Sequence, residues 1–198
     1  MLEALTGTGL AVAAGLNAYI PLLLLGLAGR FTDVVQLPAG WAWLENEWVL
    51  GILAVLLVIE VVADKIPAVD SINDWLQTIV RPAAGGIVFG SGSGAQTVAV
   101  TDPEAFLASQ QWVPIAAGVV IALVVHGLKM AARPAANALT GGAAAPVLST
   151  VEDIGAVGFS ILAIVVPVLV VVALFGLVIA LPVLLARARR RRLSVEQR

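Results

Sequence analysis

The sequence contains no cysteine and only one histidine among its 198 residues. Without cysteine the chain can form no disulfide bond, no thiolate metal site and no cysteine nucleophile. A single histidine excludes a metal site made of several imidazole ligands from one chain. No nucleophile elbow, nucleotide-binding loop or HExxH motif is present either. These absences predict that the protein is not an enzyme and that it holds no cofactor.

Charged residues are also scarce, at 12% of the chain, whereas 60% of the residues are hydrophobic and the mean hydropathy is +1.02. A soluble domain of this composition would aggregate, and several apolar stretches approach the ~20 residues that cross a hydrocarbon core. The N-terminal segment MLEALTGTG contains no Lys or Arg and leads to no clear cleavage site, so we expect the first span to be retained. The composition predicts an all-α, polytopic transmembrane helical bundle.

Four stretches are apolar enough to be membrane-spanning helices: 10–29, 48–66, 113–130 and 155–186. The last is uncharged and about 48 Å long as a helix, so we expect it to tilt or to break near Pro167 or Pro182. Two further segments, 71–92 and 134–150, are rich in Gly, Ala and Pro, and we interpret them as broken spans or re-entrant hairpins. The chain then has about six spans if both segments cross, and four if both are re-entrant.

The positive-inside bias favours six spans, because Lys65, Lys129 and Arg133 then lie on the cytoplasmic side with the C-terminus. Five arginines follow the last apolar stretch: Arg187, Arg189, Arg190, Arg191 and Arg192. We therefore expect one transmembrane domain over residues 1–186 and a basic cytoplasmic tail over 187–198. The tail can contact anionic lipid, and we expect no binding of nucleic acid.

Two helix starts are predicted by capping-box spacing. Ser71 with Asp74, and Ser149 with Glu152, have the Ser-x-x-acid pattern of a helix N-terminus. Glu152 and Asp153 would then be first-turn acids that compensate the dipole of the last helix.

The chain also contains a candidate internal repeat. A shift of 64 residues superposes Trp48 on Trp112, Lys65 on Lys129, Asn73 on Asn137 and Pro82 on Pro146. A competing match superposes RPAA at 81–84 on RPAA at 133–136, so the register stays open. Either way, each half holds an apolar span that ends in Lys and a Gly/Pro-rich segment. Paired broken segments of this kind point to a transporter's binding site near the membrane midplane.

Glu60 places a carboxyl inside a predicted span. A charge at the bilayer centre costs at least ~2.5 kcal/mol even on permissive insertion scales, so it usually faces a partner or a water-filled path. Asp64 lies four residues later on the same helix face, and two such acids can bind a cation or carry a proton. In the alternative, Glu60 pairs with Arg81 or another base and only holds the bundle together.

Arg81 keeps its charge and therefore needs a carboxylate or several carbonyl oxygens. Asp74, on the same helix face, is its simplest partner, and the alternative is that Arg81 holds an anionic substrate. We expect His126, on one face with Lys129, to reach toward interfacial water, with a proton relay as the alternative. Asn17 either hydrogen-bonds across helices or coordinates a solute. The residues that we assign to a polar pathway are Glu60, Asp64, Arg81, Asn17, Asn73, Asp74, Asn137 and His126.

Several blocks carry a family resemblance: GLNAYIPLLLLGL from Gly15, EVVADKIPAVDSIND from Glu60, RPAAGGIVFG from Arg81, and the run from His126 through STVED. They resemble a bacterial membrane family described as domain of unknown function 4126. The resemblance covers nearly the whole chain and implies a multi-pass protein of the bacterial cytoplasmic membrane, but it implies no activity. The stretch EVVADK is also similar to the E-x-G-D-K-[ST] signature of a cation/proton exchanger family, which implies ion binding at Glu60 and Asp64.

Two functions stay open at this point. In the first, the protein is a small transporter or channel for an ion or solute, with a pathway between the two broken segments. In the second, it is a non-transporting scaffold or lipid-interacting protein whose charges form closed pairs. Membrane lipids are expected partners in both cases, and a homo-oligomer is compatible with so thin a bundle.

Overall fold

The computed structural model describes residues 1–92, 108 and 110–176. Every regular element in these ranges is helical, which confirms the predicted all-α class. In chain order the elements are α1 (Leu2–Leu16), α2 (Tyr19–Phe31), a 3-10 helix (Ala39–Glu45), α3 (Glu47–Ala63), α4 (Pro67–Gly92), α5 (Trp112–Thr140) and α6 (Ala144–Val165). Residues 168–176 are helical again. Pro182 and the predicted tail at 187–198 lie outside the described residues.

The predicted first span, 10–29, is wrong, because the chain forms two short helices there. Asn17 has an extended backbone between them (φ −147°, ψ 124°). Its Oδ1 accepts hydrogen bonds from the N–H groups of Tyr19 and Ile20 and so caps α2. Pro21 falls in the first turn of α2, where its missing N–H breaks no helical hydrogen bond. At 1.5 Å per residue, α1 and α2 are about 22 and 20 Å long, too short for a core of about 30 Å.

The four longer helices run between two ends of the bundle. α4 and α5 are antiparallel, as three contacts along them show: Asp70 with Arg133, Arg81 with His126, and Gly85 with Gly118. We call the end with the turns at 64–66 and 141–143 the turn end. We call the opposite end, where residues 32–46 join α2 to α3, the connector end.

The α1–α2 pair is a helical hairpin that enters and leaves at the connector end. Gly7 of α1 lies against Phe89 near the end of α4, and Gly26 of α2 lies against Leu44 of the connector. Between them, the tip at Asn17 reaches toward the turn end. A hairpin that returns to its own side was expected at 71–92 and 134–150, and the structure forms one here instead.

α4 and α5 approach closely because glycines line their contact. A Cβ added to Gly85 would lie 2.6 Å from the carbonyl oxygen of Gly118, and one added to Gly86 would lie 2.9 Å from Val119. Such small residues let helix backbones pack directly against one another. The prediction that 71–92 is broken is therefore wrong: the segment belongs to one continuous helix that includes Pro82, and its glycines serve packing.

The other segment predicted to be broken, 134–150, contains a helix–helix turn. α5 continues through Pro134 to Thr140. Gly141 and Gly142 then turn the chain with φ of +61° and +91°, a region that favours glycine because it has no Cβ. The segment is therefore a hairpin between two long helices.

The capping-box predictions are wrong. α4 begins at Pro67 and α6 at Ala144, so both Ser71 and Ser149 lie inside helices. Proline is favoured at the first helical position, which gives α4 an earlier start than the serine. The break expected near Pro167 is confirmed, because α6 ends at Val165 and a residue before proline is driven out of the helical region.

The outer surface of the long helices is apolar. On α3 the exposed large side chains are Trp48, Ile52, Val55, Val58, Ile59 and Val62, and α4, α5 and α6 present similar rows. The buried side chains, in contrast, include Glu60, Arg81 and Lys129. An apolar exterior around a charged interior is the distribution that a lipid environment favours.

Two helices, α5 and α6, are long and apolar enough to cross a membrane. A third candidate exists if α3 and the 3-10 helix, bent by 60° from each other, form one span. Among the described residues this is fewer than the six spans predicted. The physical reasons are the short lengths of α1 and α2, the turn at Gly141 and Gly142 inside 134–150, and the polar side chains of α4, which include Asp70, Asp74 and Arg81.

The repeat with a shift of 64 residues has no counterpart in the described residues. Lys65 lies just after α3 with 38% of its side chain exposed, whereas Lys129 lies within α5 with 2% exposed. A shift of 64 also superposes the turn between α3 and α4 on the uninterrupted middle of α5.

Candidate functional site

Among the described residues, nine ionisable side chains meet inside the bundle toward the turn end, and we call them the ionic cluster. Its members are Glu60 of α3, Asp64 just after it, Asp70, Asp74 and Arg81 of α4, His126, Lys129 and Arg133 of α5, and Glu152 of α6. All except Glu152 are at most 6% exposed. Such residues are rarely buried unless they are paired.

The cluster arises from two helix faces of opposite charge. On α4 the spacing i, i+4, i+7, i+11 aligns Asp70, Asp74, Gln77 and Arg81. On α5 the spacing i, i+3, i+7, i+11 aligns His126, Lys129, Arg133 and Asn137. Each set lies along one face of its helix. Because the helices are antiparallel, the acidic first half of α4 faces the basic second half of α5.

Glu60 and Arg81 form a closed ion pair. Their Oε1 and Nη2 atoms are 2.8 Å apart, and their side chains are 1% and 0% exposed. Arg81 also lies 3.6 Å from Asp64 and 3.9 Å from Asp74. Asp74, expected to be the simplest partner, is thus a distant one, and Glu60 is the close one. The carboxyl of Glu60 meets a base here rather than a cavity.

Asp64 is the hub of the cluster. Its carboxylate accepts a hydrogen bond of 2.7 Å from Asn73 Nδ2 and lies 3.1 Å from Lys129 Nζ and 3.3 Å from Arg133 Nη2. Charge-assisted contacts of this kind are the strong ones in a low-dielectric interior.

Lys129 and Arg133 each bridge several carboxylates. Lys129 Nζ lies 3.1 Å from Asp64, 3.4 Å from Asp74 and 3.1 Å from Glu152. Arg133 contacts the same three carboxylates and also Asp70. Glu152 therefore ties α6 to α5 and does not serve as a first-turn acid, because it lies well inside α6.

His126 is buried, at 1% exposure, so the expectation that it reaches interfacial water is wrong. Its Nδ1 lies 3.2 Å from Arg81 Nη1, and its Nε2 lies 3.2 Å from Thr78 Oγ1. A guanidinium only donates, so Nδ1 is the acceptor. Thr78 donates its own hydroxyl hydrogen to the Asp74 carbonyl, which leaves Nε2 as the nitrogen that carries the proton. This geometry assigns a neutral imidazole.

The three asparagines of the predicted pathway have different roles. Asn17 Nδ2 donates to Asp153 Oδ1 at 3.0 Å, which is the hydrogen bond across helices rather than a free ligand. Asp153 also pairs with Lys65 at 3.8 Å, beside the cluster. Asn73 supports Asp64, as described above. Asn137 lies apart from both, at the wall of a cavity.

This cavity, of about 290 Å³, lies between α4 and α5 at the turn end. It is lined by Asp70, Asp74, Trp75, Met130, Arg133, Pro134 and Asn137. Its polar wall is thus part of the ionic cluster, while Trp75, which also lines it, is 74% exposed. Asn137 Oδ1 is buried there without a hydrogen-bond partner among the described residues.

Carboxyls outnumber cations in the cluster. Glu60, Asp64, Asp70, Asp74 and Glu152 stand against Arg81, Lys129 and Arg133, with His126 neutral. The neighbouring pair of Lys65 and Asp153 is balanced. With every carboxyl ionised, the cluster therefore carries a surplus of negative charge, which protons or bound cations would offset.

The oxygens of Asp64, Asp70 and Asp74 lie within 4.8 Å of one another, the spacing of a potential metal site. Ca²⁺ takes 6–8 oxygen ligands and Mg²⁺ needs near-octahedral geometry. Here Lys129 and Arg133 already lie among the three carboxylates. The donor set therefore fits ammonium and guanidinium groups better than a metal ion.

Sequence reasoning selected Glu60, Asp64, Asp74, Arg81 and His126, and the structure brings all five into the cluster. It did not select four other members: Asp70, Lys129, Arg133 and Glu152. The available signal for Asp70, Lys129 and Arg133 was their charge spacing on α4 and α5. From the sequence, Lys129 and Arg133 were assigned to the cytoplasmic interface and Glu152 to the first turn of the last helix.

The comparisons with known proteins leave the activity open. The family model described as domain of unknown function (DUF4126) matches residues 4–187. The comparisons with curated proteins and with solved structures give no match.

Proposed function

Because the chain belongs to the family of the domain of unknown function DUF4126, whose description assigns no activity, we propose a function from the site itself. The protein is a multi-pass membrane transporter or channel for a small ion or solute. Its substrate enters the bundle through the cavity between α4 and α5, beside Asp70 and Asn137.

The placement in a membrane is supported by the inverted distribution of side chains. The long helices carry valine, isoleucine, leucine and tryptophan outward and enclose the ionic cluster. In water this arrangement exposes a large apolar surface, whereas in lipid it shields the charges from hydrocarbon. Lys65, Lys129 and Arg133 all lie toward the turn end, so the positive-inside bias assigns that end to the cytoplasm.

The observation that carries the proposal is the surplus of carboxyls beside an open cavity. A closed structural network needs balanced charges, because an uncompensated buried carboxylate costs several kcal/mol. Here the carboxyls Asp70 and Asp74 both line the cavity, where a solute or proton can reach them. Intramembrane acids in such positions usually mark ion or proton paths.

The pathway that we propose differs from the one expected from the sequence. Glu60 and Arg81 are closed on each other and do not line the cavity. We therefore assign them a structural role and assign the pathway to Asp70, Asp74 and Asn137.

The proposal is tested by flux into liposomes that contain the purified full chain. The probes are protons, radiolabelled sodium, 1,4-diaminobutane and succinate, and the blank is protein-free liposomes. We expect the parent to take up at least one probe faster than the blank. Asp70→Asn should lower that uptake rate about tenfold or more, since one buried charge is worth more than 1.4 kcal/mol. Asp33→Asn, which removes an exposed carboxyl, should leave the uptake rate unchanged. Equal rates for parent and blank with every probe contradict the proposal.

The second candidate is the non-transporting scaffold, and the sealed pair of Glu60 and Arg81 favours it. A scaffold function requires neither the surplus of negative charge nor the cavity. It therefore predicts that Asp70→Asn changes stability but that no probe moves in any variant.

A further inference from the structure

We infer that the cavity between α4 and α5 binds a small organic cation that carries N–H donors, such as a primary ammonium. The inference builds on the proposed function, because it names the substrate class of the same cavity. Three independent features of the cavity determine the class: its charge, its free hydrogen-bonding atoms and its apolar walls.

The charge of the cavity selects cations. Asp70 and Asp74 line it, and of the residues that the structure describes, Arg133 is the only cation in its lining. Arg133 already contacts four carboxylates, those of Asp64, Asp70, Asp74 and Glu152. Its guanidinium is thus engaged and has little left to offer an anion, while the cluster around it keeps a surplus of negative charge.

Two acceptor oxygens of the lining residues have no hydrogen bond from the described residues: Asn137 Oδ1, and Asp74 Oδ1, which lies 3.4 Å from Lys129 Nζ. The other two buried lining atoms without such a hydrogen bond, the donor Arg133 Nη1 and the acceptor Asp70 Oδ1, contact each other. Asp74 is 5% exposed, so water reaches it little except through the cavity. Buried acceptors without partners are costly, and a ligand with N–H donors would satisfy them.

The remaining walls are apolar and adaptable. Trp75, Met130 and Pro134 also line the cavity. An indole face attracts ammonium groups by a cation–π interaction, and alkyl carbons pack on Met and Pro. A bare metal ion would instead need oxygen ligands on all sides. At about 290 Å³, the cavity is at the small end of ligand sites, which suits a molecule of few carbon atoms.

The test is binding to the purified full chain in detergent by isothermal titration calorimetry. The probes are 1,4-diaminobutane, succinate as a dianion of the same chain length, tetramethylammonium as a cation without N–H donors, and sodium chloride. The variants are Trp75→Leu and, as a matched control, Trp48→Leu, whose tryptophan is equally exposed but lies on α3 away from the cavity.

We expect 1,4-diaminobutane to bind the parent more tightly than the other three probes. Because Trp75 is mostly exposed, Trp75→Leu should weaken that binding about 2- to 5-fold, as expected for one cation–π contact at an exposed indole, and Trp48→Leu should leave it unchanged. The inference is overturned if the diamine does not bind, if succinate or tetramethylammonium binds equally well, or if both tryptophan variants behave alike.

Binding and flux separate this inference from the proposed function. Diamine binding without flux of any probe would contradict the transporter proposal and support the amine-binding site. Flux of protons or sodium without diamine binding would support the transporter proposal and contradict the assignment of an amine substrate.

Discussion

At the scale of single residues, the cost of burying a charge decides what Glu60 does. Its carboxylate faces Arg81 at 2.8 Å with both side chains shielded. Removing one partner of such a pair typically costs about 3–5 kcal/mol, whereas replacing both by apolar groups is often neutral. An exposed pair contributes only about 0–1 kcal/mol.

These magnitudes give a prediction for Glu60→Gln. We expect it to lower the free energy of unfolding by up to about 3–5 kcal/mol, because buried Arg81 loses its closest carboxylate and keeps only the more distant ones of Asp64 and Asp74. The double variant Glu60→Gln/Arg81→Met should lose less free energy of unfolding than Glu60→Gln alone. The measurement is denaturant-induced unfolding in detergent, followed by tryptophan fluorescence.

Glu47→Gln is the matched control on the same helix. Glu47 pairs with Arg30 at 3.4 Å but is 72% exposed, so its substitution should cost less than about 1 kcal/mol. If Glu60→Gln lowers the free energy of unfolding no more than Glu47→Gln does, the pair of Glu60 and Arg81 does not stabilise the bundle.

Hydropathy alone identified Glu60, Asp64 and Arg81, because a charge inside an apolar run is visible in the sequence. Their partners were not predictable in the same way. Lys129 and Glu152 join the cluster only because α5 and α6 cross it at that level, and helix crossing is set by packing. His126 was misplaced for the same reason, since its neighbours come from another helix.

At the scale of helices, the main error concerned the meaning of glycine. In 71–92 glycine and proline were taken as breakers, as they are in soluble helices. In α4, Gly85 and Gly86 lie at the contact with α5, where close packing compensates for low helix propensity. The opposite error occurred at 10–29, where apolar continuity concealed the cap that Asn17 forms on α2.

Two glycines of α5 give a direct test of the packing argument. A Cβ on Gly118 would lie 2.5 Å from Phe89 and meet the backbone of Gly85, while a Cβ on Gly127 would meet nothing within 4 Å. We expect Gly118→Ala to destabilise the bundle by about 1–3 kcal/mol through overpacking. Gly127→Ala should be neutral or stabilise by up to about 1 kcal/mol.

The measurement is again unfolding in detergent, with helix content checked by circular dichroism. Similar effects of the two alanines would show that α4 and α5 are not in backbone contact at Gly118.

At the scale of the whole molecule, the distribution of side chains predicts the orientation. Composition alone was enough to predict the all-α class and the presence of apolar helices. The span count was overestimated, because a six-span count needs α1 and α2 to be one helix, α4 to be apolar throughout and 134–150 to cross without a turn. Instead α1 and α2 form a hairpin, and α4 carries the acidic face of the cluster.

The absence of cysteine makes the orientation testable. We expect Asp33→Cys in the connector and Ala143→Cys in the turn between α5 and α6 to react with a membrane-impermeant maleimide from opposite sides of the membrane. Both positions are exposed. Labelling of both from the same side would refute the arrangement of α3 to α6 between two membrane faces.

The central claim is that the charged interior is open to water at the cavity and sealed elsewhere. The most direct measurement compares Asn137→Cys, in the cavity wall, with Ser149→Cys, whose position on α6 is 0% exposed. We predict that the maleimide modifies Asn137→Cys from the turn-end side of the folded protein and modifies Ser149→Cys only after unfolding. An Asn137→Cys thiol that stays unreactive from both sides, or equal reactivity at the two positions, would contradict the claim.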